Sequence, residues 1–260
     1  LWQAKVSVSI SVSVFDEATS TSDLARQALA DGVLSGTAFQ ALIQTKGRGR
    51  HGRYWSSPKG NLYLSVVFLP SRPTMEWPGI SLVVCVALAK ALEQIIDPAR
   101  VSLKWPNDVL VDEKKIAGIL IEAHDNGVII GVGVNLMSAP KVTDGGWPAI
   151  CLAEIAKADG DKINSAKMIA LDAFRDILIK QMEDALSHWQ DNGFQLSSQE
   201  WMARAAFLGK NIRVQDDQDD NLQGVFRGIN PDGTMRLELK GGDMLSLAAG
   251  DVTRARPVAS

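Results

Sequence analysis

The chain has 260 residues, of which 46% are apolar and 22% charged, with a formal net charge of −3. That length can bury a substantial core in one large domain or one and a half. The charge excludes any global attraction for nucleic acid or an anionic membrane, so basic chemistry must be local. Cys85 and Cys151 sit in apolar surroundings and read as packed thiols of a reducing compartment rather than a disulfide. His51, His124 and His188 lie far apart, with no zinc-ligand spacing. The longest apolar run, Ile80–Leu92, is too short to span a bilayer, and no signal peptide is visible.

In chain order, residues 6–14 alternate valine or isoleucine with serine, the period of a half-buried strand. Ser20-Thr21-Ser22 offers N-caps for a helix beginning near Asp23. A strand over 38–43 leads into Gln44-Thr45-Lys46-Gly47-Arg48-Gly49-Arg50-His51-Gly52-Arg53-Tyr54-Trp55, with three glycines and four permanently basic side chains in twelve residues. Such a loop can approach a ligand closely and present planar cationic forks to phosphate or carboxylate. Its Gly-x-Gly-x-x-Gly is not a dinucleotide fingerprint, because a turn and a β-rich run, Leu62–Phe68, follow where a helix should open. A P-loop is excluded too, since no Gly-Lys-Ser/Thr closes the motif. The bland alternative is a solvated basic loop.

Residues 79–96 read as a buried helix ended by Asp97-Pro98. A strand meander is expected over 101–136, with turns at Pro106-Asn107-Asp108, Asp112-Glu113-Lys114 and Asp125-Asn126-Gly127, hence antiparallel pairing. Alternation turns Lys104 away from the face that buries Val101 and Leu103. Residues 165–190 form an amphipathic helix with Met168, Leu171, Leu178, Met182, Leu186 and Trp189 near one stripe, stopped at Asn192-Gly193. Ser197-x-x-Glu200 has the form of a capping box that starts a shorter helix. From Gly209 about five short strands with polar turns follow, which divides the chain into residues 1–208 and 209–260.

Three further strings carry chemistry: Lys104-Trp105-Pro106-Asn107-Asp108, Lys115-Ile116-Ala117-Gly118-Ile119-Leu120-Ile121-Glu122, and Gly131-Val132-Gly133-Val134-Asn135. Glycines inside a strand permit close approach to the backbone. Together with Ser20-Thr21, the Gly-Arg-Gly-Arg loop and Asn61-Leu62-Tyr63-Leu64-Ser65, these strings resemble, in order, the catalytic domain of biotin–protein ligases over roughly residues 15–137. The β-rich tail resembles the small SH3-like domain of that family.

The resemblance implies an α+β fold, with a mixed, largely antiparallel central sheet, flanking helices of the class II synthetase and biotin–lipoate ligase kind, and a small C-terminal SH3-like β-barrel. It implies a biotin–[biotin carboxyl-carrier protein] ligase, which joins biotin and ATP to give biotinyl-5′-AMP and then biotinylates a carrier lysine, with Mg²⁺ accompanying ATP. By motif, Lys104, Arg48 and Arg50 are the catalytic candidates. Biotin is expected against Ser20, Thr21, Ser22, Gln44, Gly47, Arg48, Gly49, Arg50, Lys104 and Gly118. ATP and the adenylate are expected against Arg50, Trp55, Lys104, Asn107, Lys115 and Asn135, with no metal held by the protein.

Two positions depart from the family pattern. Ser22 stands where asparagine is usual, and His51 where a further arginine is common. The implied partner is the biotin carboxyl carrier domain of a carboxylase, with cytoplasmic localisation, no membrane and a possible homodimer. About twenty residues precede Thr21, too few for a DNA-binding winged helix, so no DNA binding is expected. A lipoate/octanoate–protein ligase, a non-catalytic biotin-binding protein and an arginine-loop nucleic-acid binder are the competing readings. The glycine-rich loop is expected to order only as ligand arrives.

Overall fold

A computed structural model describes residues 7–141, 147–160, 170–216, 222–250 and 252–258. A seven-stranded sheet runs β1-β2-β3-β7-β6-β5-β4, built from β1 (Ser11–Ala18), β2 (Thr37–Gln44), β3 (Leu62–Phe68), β4 (Val101–Lys104), β5 (Asp108–Val111), β6 (Lys114–His124) and β7 (Gly127–Val134). β1 and β2 are parallel, joined through helix α1 (Thr21–Ala30); every other neighbouring pair is antiparallel. The expected meander over 101–136 is therefore present.

Period-2 alternation gives the sheet two faces with different tasks. Leu62, Leu64, Val66 and Phe68 of β3, with Val128, Ile130, Val132 and Val134 of β7, enter the main core. There they meet α2 (Ile80–Leu92), which is apolar nearly all round and correspondingly buried. With the 3₁₀ turn before it, α2 makes a 19-residue stretch apolar enough to cross a membrane by composition, yet 72% of that window is buried inside the protein. It is the core helix of the fold. Behind it lie α4 (Leu171–Asn192) and α5 (Gln195–Ala203), while a short α3 (Leu152–Ala158) follows the sheet. α4 buries Phe174, Leu178, Met182, Leu186 and Trp189, a stripe of helical spacing. On the other face α1 covers only a small cluster, Ala25 and Leu29 against Val67 and Ile129. The rest of that face is left for the site.

The tail forms a second, antiparallel sheet in the order β11-β10-β9-β8-β12, from β8 (Asn211–Asp216), β9 (Leu222–Ile229), β10 (Met235–Leu239), β11 (Met244–Leu247) and β12 (Val252–Pro257). No ladder joins β11 to β12 among the described residues, so the sheet is not a closed barrel there. Its Ile212, Phe226 and Leu237 join the main core, and Trp105 Nε1 donates to the Gly233 carbonyl at 3.0 Å.

Three local expectations need correction, and a fourth is described only in part. The first strand starts at Ser11, because pairing with β2 begins at Ser11↔Thr37; residues 7–10 are instead tied to α4 through Val8 N to Ser187 Oγ and Ile10 N to Glu183 Oε1. Residue 6 lies outside the described residues. α2 ends at Leu92, and Asp97 caps a 3₁₀ turn over Pro98–Arg100 instead. Ser197 lies inside α5, not at its start, and Glu200 is engaged by Lys90 at 2.7 Å, so no capping box forms. The amphipathic helix is described from Leu171; residues 165–169, with Met168, lie outside the described residues.

Candidate active site

The sheet registers bring the separated motifs together. Lys104 pairs with Asp108, Asp108 with Gly118, Gly118 with Gly133 and Gly133 with Tyr63, a single row across five strands. One step along, Leu120, Gly131 and Ser65 form a second row. Both rows lie on the α1 side, and their glycines leave a floor without side chains under a cavity of about 560 Å³.

At the Lys104 end, Asp108 is buried between two ammonium groups, with Lys104 Nζ at 3.0 Å and Lys115 Nζ at 2.5 Å. Burial alone would push the Asp108 carboxyl up, but the two lysine charges outweigh it and hold the carboxyl well below the usual carboxylate range. Burial pulls the Lys104 ammonium below the ordinary lysine value, and the Asp108 charge opposes this only in part. Lys104 also lies 5.0 Å from the ring of Trp147. The site thus presents dehydrated positive charge beside an open floor.

The opposite end is a buried hydroxyl and amide chain. Ser65 Oγ meets Thr21 Oγ1 at 2.7 Å and Ser22 Oγ at 3.3 Å. Thr21 donates from N and Oγ1 to Gln44 Oε1, and Gln44 Nε2 donates to Ser57 Oγ. Ser65, fully buried, was not among the expected site residues; its place in the Asn-Leu-Tyr-Leu-Ser string and the period-2 alternation were the available signals.

The arginine loop forms a small hairpin over the floor. Gly49 N donates to the Arg53 carbonyl and Trp55 N to the Gly47 carbonyl, at 2.7 and 2.9 Å. His51 and Gly52 turn the tip with φ of 53° and 67°. A Cβ on Gly47 would stand 2.4 Å from the Trp55 carbonyl oxygen, so only glycine closes this hairpin. Arg48 Nη1 pairs with Asp23 at 2.7 Å, while Arg50 donates to the Ala249 carbonyl of the second sheet's segment. Trp55 packs against Gly133, where a Cβ would come within 2.6 Å of its ring, and Lys115 stands 5.2 Å over that ring. Gly133→Ala is therefore expected to destabilise the protein by about 1–3 kcal/mol in denaturant unfolding. Most of that penalty should vanish in a Trp55→Ala background, where the clash has no partner.

Of the expected residues, Thr21, Ser22, Gln44, Arg48, Gly49, Arg50, Trp55, Lys104, Asn107, Lys115, Gly118 and Asn135 line the cavity. Ser20 instead caps α1, accepting from Ser22 N, and Gly47 sits behind Trp55. Asn107 Nδ2 donates to the Ile119 carbonyl and Asn135 Nδ2 to that of Ile150, so both amides brace the cavity edge. Asp108 and Tyr63 line the cavity without having been expected there, as do Trp147 and Arg256, which come from distant parts of the sequence; Gly131 lines it as a strand glycine open to close approach. Among the described residues no group of three His, Cys, Asp or Glu could hold a metal ion.

Comparison with known proteins agrees with this arrangement. Residues 14–135 match the biotin/lipoate A/B protein ligase family, and residues 207–253 match the biotin protein ligase C-terminal domain. The chain is 31% identical to a biotin–[acetyl-CoA-carboxylase] ligase of Mycobacterium tuberculosis, over 92% of this chain and 86% of that protein. It is 34% identical to the corresponding ligase of Paracoccus denitrificans, over 83% and 90%. Among solved structures, the Aquifex aeolicus biotin protein ligase in complex with biotin and ATP superposes with a TM-score of 0.77 at 26% identity, covering 95% of this chain and 99% of that one. The chain belongs to the biotin/lipoate A/B protein ligase family, among its biotin–protein ligases.

Proposed function

We propose that this protein is an ATP-dependent biotin–protein ligase whose acceptor is a lysine of a biotin carboxyl carrier domain. The observation that carries the reading is the glycine floor between the buried Lys104 ammonium, with Lys115 beside it, and a buried hydroxyl chain, roofed by the arginine loop. Biotin lies along the floor, its polar ring groups toward Thr21, Ser22 and Ser65 and its carboxylate toward Lys104. The carboxylate oxygen attacks the α-phosphorus of MgATP, and the bond to the bridging oxygen breaks with release of pyrophosphate. The carrier amine then attacks the acyl carbon, AMP leaves, and the amine loses a proton. Substrate oxygens are the nucleophile and the leaving groups in the first step, so catalysis consists of positioning and of charge aimed at the phosphate. Lys104, Arg48 and Arg50 supply that charge, and Trp55, Lys115, Asn107 and Asn135 bound the nucleotide side. We assign residues 1–208 to the catalytic unit and 209–260 to the C-terminal unit, and place the protein in the cytoplasm, where its MgATP and carrier would reside. No DNA-binding role is assigned. Among the described residues no strand pairs with the outer edge of β1, and we propose that this edge takes strand addition by the carrier or by a second copy.

Biotin-dependent ATP–pyrophosphate exchange, with lipoate and octanoate in parallel, tests the proposal. Exchange with biotin alone supports it; exchange with lipoate or octanoate instead, or with none of the three in folded protein, sinks it. The pH dependence is directional as well. Lys104 acts protonated, so exchange falls as pH rises through its folded pKa, which lies below the ordinary lysine value of about 10.4. Asp108→Asn removes the charge that retains that proton, and the alkaline limb should move further down by about one pH unit. The same substitution should destabilise the fold by about 3 kcal/mol at neutral pH by breaking a buried pair. That stability is present above the usual carboxylate range and is lost in wild type only as pH falls through the depressed pKa of Asp108.

A further inference from the structure

The arginine loop is fastened to the sheet by a ring of alternating charges that no single sequence motif contains. Asp23, in the first turn of α1, accepts at Oδ1 from Arg48 Nη1 at 2.7 Å and from Arg26 Nη1 at 2.8 Å. Its Oδ2 accepts from Thr19 Oγ1 at 3.2 Å, and the Thr19 carbonyl in turn receives Lys46 N of the loop at 2.8 Å. Arg26 continues to Glu122 of β6 at 2.7 Å, and Glu122 lies 3.9 Å from Arg48 Nη2. The ring holds two cations and two anions, so the charge of Arg48 is largely balanced within the protein. One end of its fork is fixed on Asp23; the other, Nη2, is buried, makes no hydrogen bond and faces only the Glu122 carboxylate at ion-pair distance, while Arg48 itself lines the cavity. A guanidinium hydrogen-bonded at one end and only loosely ion-paired at the other keeps its orientation while retaining donor capacity.

We propose that Asp23 is a positioning residue: through Arg48 it fixes the closed geometry of the 45–56 hairpin and thereby governs how well the site retains biotin and the acyl-adenylate. The retention half rests on the function proposed above; the anchoring half does not. Asp23 immediately follows Ser22, whose hydroxyl faces Ser65, so one turn of α1 links the loop anchor to the buried hydroxyl chain. The ring is partly exposed, and such pairs add little to global stability. Its effect is therefore local, on a hairpin with few buried contacts.

Asp23→Asn keeps the size and removes the charge. The melting temperature should move by less than about 3 °C. Trypsin cleavage within the loop, at Lys46, Arg48, Arg50 or Arg53, should accelerate about tenfold without ligand. The KM for biotin in pyrophosphate exchange should rise about tenfold, with a smaller fall in kcat. Asp23→Glu should recover most of both. In an Arg48→Gln background Asp23→Asn should add almost nothing, because the two act through one contact. Unchanged cleavage and KM in Asp23→Asn, or additive effects of the two substitutions, would overturn the proposal. Absence of exchange in the unsubstituted protein would remove the function and the retention half with it, while loop cleavage would still decide the anchoring half.

Discussion

Replacing Lys104 by alanine should lower biotin-dependent pyrophosphate exchange by about 10²–10³-fold while leaving the fold intact, the loss typical of removing one preorganised charge from a transition state. Lys104 ends β4 on the site face, because Val101 and Leu103 take the core side of the same strand. Its ammonium sits beside Asp108 and Trp147 at the end of the open floor, where reduced solvation strengthens its pull on a phosphate oxygen. The fold should survive because Lys115 remains 2.5 Å from Asp108, so the buried carboxylate keeps a cationic partner. Single-turnover formation of biotinyl-5′-AMP, with circular dichroism as the control for folding, separates the two effects. A Lys104→Ala protein that forms the adenylate at the wild-type rate would remove Lys104 from the chemistry.

Arg50→Gly should act on the second half of the reaction. Arg50 lines the cavity and donates to the Ala249 carbonyl, bridging the hairpin tip to the C-terminal unit. The substitution removes that bridge and adds a further glycine between Gly49 and His51, raising the freedom of the tip. A loop that cannot stay closed releases a reactive mixed anhydride into water. Labelling of lysines on a bystander protein without a carrier domain should rise by about 10–100-fold, with adenylation reduced much less. Bystander labelling equal to that of wild type would show that Arg50 does not retain the intermediate.

The sequence was legible where one element decides the outcome. Alternation in β4 placed Lys104 on the correct face, and the absence of a helix after Gly52 excluded a dinucleotide fold. The turn signals at 106–108, 112–114 and 125–127 marked the antiparallel meander. The failures were also local. Ser197 and Glu200 have capping-box spacing, but burial of Ser197 and the Lys90–Glu200 pair override it. The serine–valine alternation over 6–14 continues past residue 10, yet hydrogen bonds to α4 claim the backbone there before β2 can.

By itself, then, the sequence determined the family, the order of its motifs and the face on which Lys104 stands, because periodicity and glycine chemistry are properties of neighbours in the chain. Only the tertiary structure decided the rest. The row from Lys104 through Asp108, Gly118 and Gly133 to Tyr63 is a matter of strand register, which joins residues as distant in the chain as Tyr63 and Gly133. The ring of Asp23, Arg26, Arg48 and Glu122 needs α1, the loop and β6 in contact, and Trp147 and Arg256 reach the cavity only once the chain has folded. Charges that neutralise one another across such distances carry no signal along the chain, since their coupling depends on separation in space.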